Sequence, residues 1–530
     1  MVQASTRPVL WGILFLVAAL APVSLQAQAR ITPQRRAKLQ LLIKERADRH
    51  AQFVKKVSEL AQEREDQNDA IAAAEIRRLA SPVDHEQLRA RIWPTDFQPA
   101  LSDKLSGDER SWRIRLNALR MDHAKEVFSL ARTAAREDHS SLAFDLIRET
   151  LEFDPDHLAA RRVLGYQKVE RQWLTNYAAK MRRKRYTWSD KFGWLPNEYL
   201  ARYEAGQRFC EGRWMSADEE TRKRRDFRRN PWEIRTDHFL VRTNHSLEDG
   251  VRLARELEDY YRVFFGIFGA FFIPQEQLRQ LDGNASGGDS GHVFKVHFYH
   301  TRDEYNRELK GKIPQDIEVT TGLYLTDPHT SYTFHDPTGE VDVRTTLIHE
   351  ATHQMFTESR PARTPIALKA NFWIVEGIAC YMESYRREAD RVVVGDPNYI
   401  RFKNALYRRL ESNYYVPLDQ FTSMGMHQFQ TAEKLAMNYS QAAGLTHFFM
   451  HYADGLYRDA LCEHISEIYS QVDRIRQNPN SLQDLIGLTY SELDKQYLEY
   501  IRAQERELSQ LGIAPTPERV APASVEGLTP

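Results

Sequence analysis

His349-Glu350-Ala351-Thr352-His353 sets two imidazoles four residues apart with a carboxylate directly after the first. The run around them, Thr345 to Phe356, contains neither Gly nor Pro and reads as a helix. Positions four apart share a helical face, so both rings can reach one Zn2+. Glu350 then points beside the metal, where it can hold the attacking water as a general base. With 18 His in 530 residues, chance supplies only about 0.05 copies of such a pattern per chain.

A companion lies downstream. Phe372-Trp373-Ile374-Val375-Glu376-Gly377-Ile378-Ala379-Cys380-Tyr381-Met382-Glu383 reads as a second, apolar helix carrying two acids. Buried helices avoid carboxylates, which makes Glu376 the natural third ligand. A His, His, Glu set leaves one position open for water, as a catalytic zinc site requires. Glu383 follows seven residues later, two turns along the same face, placed to accept the N–H of a zinc-bound histidine.

These residues resemble the gluzincin metallopeptidases, and most of all the catalytic domain of the aminopeptidase N and leukotriene hydrolase group. There a His-Glu-x-x-His helix is followed by Asn-Glu-Gly-Phe-Ala-x-Tyr-x-Glu. Val375 to Glu383 matches at Glu376, Gly377, Ala379, Tyr381 and Glu383. The resemblance implies zinc held by His349, His353 and Glu376, Glu350 as base, and a thermolysin-like fold. It also points to Tyr439, in Asn438-Tyr439-Ser440-Gln441, as the counterpart of a catalytic Tyr that opens a helix in that group. A phenol aimed at the carbonyl oxygen would stabilise the charge that builds there during hydrolysis. His447 and His451 are also four apart, but no acid adjoins them and they flank Phe448-Phe449-Met450, so they read as packing residues. The Gly-x-Met-Glu-Asn segment that anchors a substrate's amine in aminopeptidases is missing; Thr321-Gly322-Leu323-Tyr324-Leu325 stands in its place, on an expected edge strand. Aminopeptidase activity is therefore not supported. The resemblance covers about residues 232–511, and the whole chain resembles a group of exported bacterial proteins that join tetratricopeptide-type helices to a peptidase-like domain.

The elements that must position these groups follow an α+β order, mainly helical. From Trp232, two β-rich stretches (233–236 and 239–243) precede a helix-periodic run from Leu247 to Phe264. A strand at 293–300 and another at 321–325 come before the two site helices, with helices to the end. Gly283 to Gly291 reads as a loop. Residues 232–511 thus form the expected catalytic domain.

Upstream, residues 30–179 read as a helical module. Thr32 to Leu79 is an amphipathic helix or helical pair, and Ala124 to Tyr166 carries helices broken at Glu137–Ser140 and after Phe153. The spacing of Ala143, Leu146, Leu151, Pro155, Ala159, Leu164 and Gly165 resembles one tetratricopeptide-type repeat, and such a module offers a protein-contact surface. Residues 180–231, rich in Trp and in both signs of charge, read as a connecting segment. Residues 512–530 read as a disordered tail.

Arg7 before the apolar run Val9–Val23, with Ala27-Gln28-Ala29 after it, reads as a cleaved signal peptide, residues 1–29. That predicts an exported chain, periplasmic or secreted, with no stable membrane span after cleavage. Balanced charge, 73 Lys+Arg against 74 Asp+Glu, argues against nucleic acid as a partner. Cys210, Cys380 and Cys462 lack metal or redox spacing and read as small buried apolar groups. The expected function is zinc-dependent hydrolysis of a peptide or protein substrate. Two alternatives stay open: an inactive zinc-holding scaffold, and a metallohydrolase of non-peptide amides or esters.

Overall fold

The computed structural model describes residues 33–513 except 82, 90, 274–277, 279–290, 313–316, 318–319, 340–341, 363–364, 389–390 and 432. The signal-peptide reading, nearly all of the tail and most of the 283–291 loop lie outside the described residues. The architecture is mainly helical α+β.

The N-terminal module is built on long helices at Pro33–Asp66, Gly107–Arg136 and Ser140–Phe153, with shorter ones at Ala70–Arg78 and Leu158–Val163. Their starts are written in the sequence. The side chains of Asp69 and Ser106 accept hydrogen bonds from the backbone N–H groups of Ala72 and Glu109, meeting donors that a helix start leaves unpaired. The three-residue break between the second and third long helices contains Asp138 in the left-handed region, φ 65°, which turns the chain back on itself. Phe53, Val57 and Leu60 from the first helix close on Trp112, Leu116 and Phe153.

The stretch expected to be a connecting segment is folded instead. Between residues 167 and 224 the chain repeats a β-hairpin followed by a helix three times: Gln167–Val169 with Gln172–Leu174 and then Asn176–Arg183; Tyr186–Ser189 with Gly193–Pro196 and then Leu200–Glu204; Gln207–Cys210 with Arg213–Ser216 and then Ala217–Arg224. Every second strand carries a Trp and an aliphatic residue before the turn into helix: Trp173-Leu174-Thr175, Trp194-Leu195-Pro196, Trp214-Met215-Ser216. Thr175 and Ser216 cap the helices that follow. The Trp residues recur after 194 − 173 = 21 and 214 − 194 = 20 positions, an internal repeat, and the expected boundary at 180 cuts through it. The mixed charge pairs locally, as in Arg213 with Glu219 and Lys223 with Glu211.

The second half contains a five-stranded sheet in the spatial order Leu323–Leu325, Thr330–Phe334, Phe294–Tyr299, Phe239–Thr243, Trp232–Arg235. The middle three strands run parallel and the two outer ones pair antiparallel to their neighbours. Leu323–Leu325 is the expected edge strand. Thr330–Phe334 was not expected as a strand: all five residues are buried, so the alternation that marks a half-exposed strand is lacking. The helix beginning at Leu247 continues past its expected end to Phe272. It packs with the sheet and both site helices in one large apolar core that includes Tyr260, Phe264, Met355, Trp373 and Phe448. Arg89 and Arg458 both bind Asp145, tying the N-terminal module to the helix Arg458–Ile468 of this half. No helix among the described residues is long and apolar enough to cross a membrane.

Candidate metal centre

His349, Glu350 and His353 lie on the helix Val343–Ser359, whose start is capped by Asp342 accepting from the Thr345 N–H. Glu376 lies on the helix Phe372–Met382. The two imidazole centroids are 4.8 Å apart at an interplanar angle of 70°. Oε2 of Glu376 is 3.4 Å from Nε2 of His349 and 3.8 Å from Nε2 of His353. The expected ligands therefore converge, all three donor atoms falling within 4.8 Å of one another.

His349 is 2% exposed, His353 4% and Glu376 not at all, yet neither Nε2 of His349 nor either Glu376 oxygen makes a hydrogen bond of standard geometry. A carboxylate buried in that way is costly unless a cation balances it. Two imidazole nitrogens and one carboxylate oxygen are donors a divalent transition metal accepts, zinc among them.

Electrostatics fit the same arrangement. Burial opposes charge on His349, but Cys380, Glu376 and Glu383 outweigh it and raise its pKa well above the ordinary value, so its surroundings favour positive charge at this position. Burial pushes His353 down to about 4. Burial would raise Glu376, yet His349, His353 and the Tyr439 hydroxyl bring it below the usual carboxylate value. Tyr439, 2% exposed on the helix Leu435–Gly455, thus lies with its hydroxyl close to the Glu376 carboxylate.

Glu383 stands behind His349, where Nδ1–H donates to its Oε1 at 2.8 Å. That bond assigns the tautomer and turns Nε2 toward Glu376. Glu383 is itself clamped. Arg401 donates Nε–H to Oε2 at 2.7 Å and Nη2–H to Oε1 at 2.9 Å, and the Tyr399 hydroxyl donates to Oε2 at 3.2 Å. Burial opposes ionisation, but Arg401 overcomes it and holds Glu383 down to about 2. Glu350, fully buried, accepts the Tyr324 backbone N–H at Oε2, 2.8 Å away, so the edge strand fixes the rotamer of the candidate base. One turn past His349, Thr352 donates to the Ile348 carbonyl and receives the Tyr260 hydroxyl at 2.6 Å, which anchors the His349 side of the helix.

Arg401, Tyr399 and the Tyr324 N–H were not found by reading the sequence. Arg401 lies 18 residues from its partner and looks like any arginine of an amphipathic helix. Cys380 also counts for more than its bland reading, since its thiol adjoins His349; Cys210 and Cys462 are simply buried. Gly377 has a steric reason: a Cβ there would sit 2.4 Å from Thr446 Oγ1 and 2.7 Å from the Ala442 carbonyl oxygen, so only glycine lets the two helices approach closely beside Glu376.

His447 and His451 stay outside the centre. His447 pairs with the Tyr500 hydroxyl at 2.6 Å and the Gly395 carbonyl at 3.1 Å and stacks on Phe402, while His451 meets the Tyr381 hydroxyl at 3.0 Å. They are packing residues. No protein-family model matches the chain, and no curated protein matches it either.

Proposed function

We propose that the chain is an exported zinc-dependent peptidase of gluzincin type, with a thermolysin-like catalytic domain at residues 232–511. The observation that carries this reading is the convergence of His349, His353 and Glu376 from two separate helices with Glu350 fixed beside them. A closed structural site has no use for that extra acid.

In this reading His349, His353 and Glu376 hold the ion. Zn2+, when bound, supplies Lewis acidity that acidifies a water and polarises a carbonyl. Glu350, steadied by the Tyr324 N–H, takes the proton from the attacking water and passes it to the leaving amine. The Tyr439 hydroxyl donates to the developing oxyanion. Glu383, locked by Arg401, keeps His349 oriented with Nε2 toward the ion. Export rests on the signal-like segment at residues 1–29. The helical module and the hairpin repeats supply a surface for a protein substrate or partner.

One observation favours the inactive holder instead: ligands, base and Tyr439 are all buried, as they would be in a closed structural site. A broad peptide library assayed with and without chelator separates the readings. Cleavage lost on chelation, and lost again in Glu350→Gln with zinc still bound, is the expected result. Zinc bound with no cleavage of peptides, amides or esters would establish the holder. Cleavage of amides or esters but not of peptides would establish the non-peptide hydrolase. Metal content of the wild type and of Glu376→Ala tests the ligand set itself, and the variant is expected to lose one equivalent.

A further inference from the structure

The N-terminal module contains a second cluster of the same residue types. His50 comes from the helix Pro33–Asp66, His123 from Gly107–Arg136 and Glu149 from Ser140–Phe153, and one donor atom from each falls within 4.8 Å of the others. His123 is 3% exposed and Glu149 is fully buried. None of the four ring nitrogens makes a hydrogen bond, and neither does Oε1 of Glu149.

Buried polar atoms in native proteins almost always have partners, and five without one in a single cluster require an explanation. A hydrogen bond from His50 or His123 to Glu149 does not provide it, because neither is formed. Glu126 does not provide it either: its Oε2 is 3.9 Å from Nδ1 of His123, beyond hydrogen-bonding range. Simple apolar packing accounts for the ring faces, since His123 stacks on Phe53 at 4.6 Å and meets Phe153 edge-on at 4.5 Å. It leaves the nitrogens unexplained.

The other oxygen of Glu149 is committed. Oε2 accepts from Nε of Arg46 at 2.7 Å and lies 2.6 Å from Nε2 of His85. These two fix the carboxylate and leave Oε1 as its remaining donor oxygen. We propose that His50, His123 and Glu149 form a second metal site, for a divalent transition-metal ion, that clamps the three long helices of the N-terminal module together.

Two imidazoles and a carboxylate suit such an ion better than a hard cation, which prefers oxygen donors alone. Each ligand comes from a different helix, so binding is coupled to the packing of all three and raises stability by mass action. The Arg46 guanidinium repels a cation at this position, so the site binds more weakly than the one at His349, His353 and Glu376.

The test is metal content per chain after removal of metal with chelator and reloading with Zn2+ or Co2+. Wild type is expected to hold two equivalents and His123→Phe one; Phe keeps the ring stack with Phe53 and Phe153 while deleting both nitrogens. Glu376→Ala is expected to hold one equivalent, and the double variant none. Added Co2+ should raise the melting temperature of Glu376→Ala but not that of the double variant. Should His123→Phe fail to fold, judged by circular dichroism, His50→Gln replaces it with the same readout. The proposal is overturned if the wild type and the folded variant hold equal metal, or if Glu376→Ala binds none. Failure of the peptidase reading would look different: Glu376→Ala would match the wild type while His123→Phe still lost its equivalent.

Discussion

Two regions of this molecule each gather two histidines and a glutamate within 4.8 Å, and they differ in everything around that set. At the first, both histidines come from one helix, an acid follows the first of them in sequence, and a sheet edge holds that acid through the Tyr324 N–H. A further carboxylate, clamped by Arg401, orients one ring. At the second, three helices give one residue each, phenylalanine rings pack against the imidazole of His123, and an arginine sits on the glutamate. Ligand identity alone therefore does not distinguish chemistry from bracing. The groups that hold and flank them do: under the proposed readings one arrangement serves a proton transfer, the other a helix–helix junction.

The comparison breaks most decisively at Glu350. Glu350→Gln keeps the shape and the Tyr324 contact but removes the base, and turnover should fall about 10²–10⁴-fold with metal content unchanged. Equal loss of metal would mean that Glu350 is a structural member of the cluster and that the two regions are alike.

Arg401→Met comes next. It leaves the Glu383 carboxylate buried without its two-pronged partner, which should cost about 3–5 kcal/mol in denaturant unfolding. The pH dependence has a definite sign. Glu383 is held down to about 2 against an ordinary 4.5, so its contribution is fully present above pH 4.5 and is lost as pH falls toward 2. In Arg401→Met the acid-unfolding midpoint should therefore move to higher pH. An unchanged midpoint would show that the clamp behind His349 carries no weight.

Much of the first region was legible in the sequence because its signals are local. His349 and His353 share a helical face by spacing alone, and an acid in so apolar a run as Phe372–Met382 marks Glu376 at once. The module's helix ends were equally legible, since Asp69, Ser106 and the 137–139 break are local stop and start signals. What stayed hidden is long-range or short. Arg401 and the Tyr324 N–H gain meaning only when distant segments fold together. The hairpins of residues 167–216 have strands of three or four residues with partly exposed faces, too short for a clear period, and their dense charge resembled a solvated connector. Glu149 and His50 are 99 residues apart (149 − 50) on helices whose apolar stripes masked them.

Tyr439→Phe sharpens the contrast further, because it removes one hydroxyl from the first region and leaves the ring among its neighbours. As an oxyanion donor it should cost about 100-fold in kcat with little change in KM. As a mere support for Glu376, whose charge it helps hold, it would instead weaken metal affinity and leave kcat of the fully loaded enzyme near wild type.

The smallest effect comes from glycine, and it separates the two regions by packing alone. At Gly377 an added methyl meets Thr446 and Ala442 at 2.4 and 2.7 Å, so Gly377→Ala must push apart the helices that carry Glu376 and Tyr439, at about 1–3 kcal/mol. Gly107 opens a long helix of the N-terminal module, where an added methyl would meet nothing within 4 Å, and Gly107→Ala should change stability by no more than about 0.5 kcal/mol. Chemical denaturation of both variants, with metal content measured alongside, reads the difference. Because Gly377 adjoins a ligand, its variant should lose metal affinity as well as stability, whereas a loss of stability alone would show that the second site helix can shift without moving the Glu376 carboxylate away from the two imidazoles.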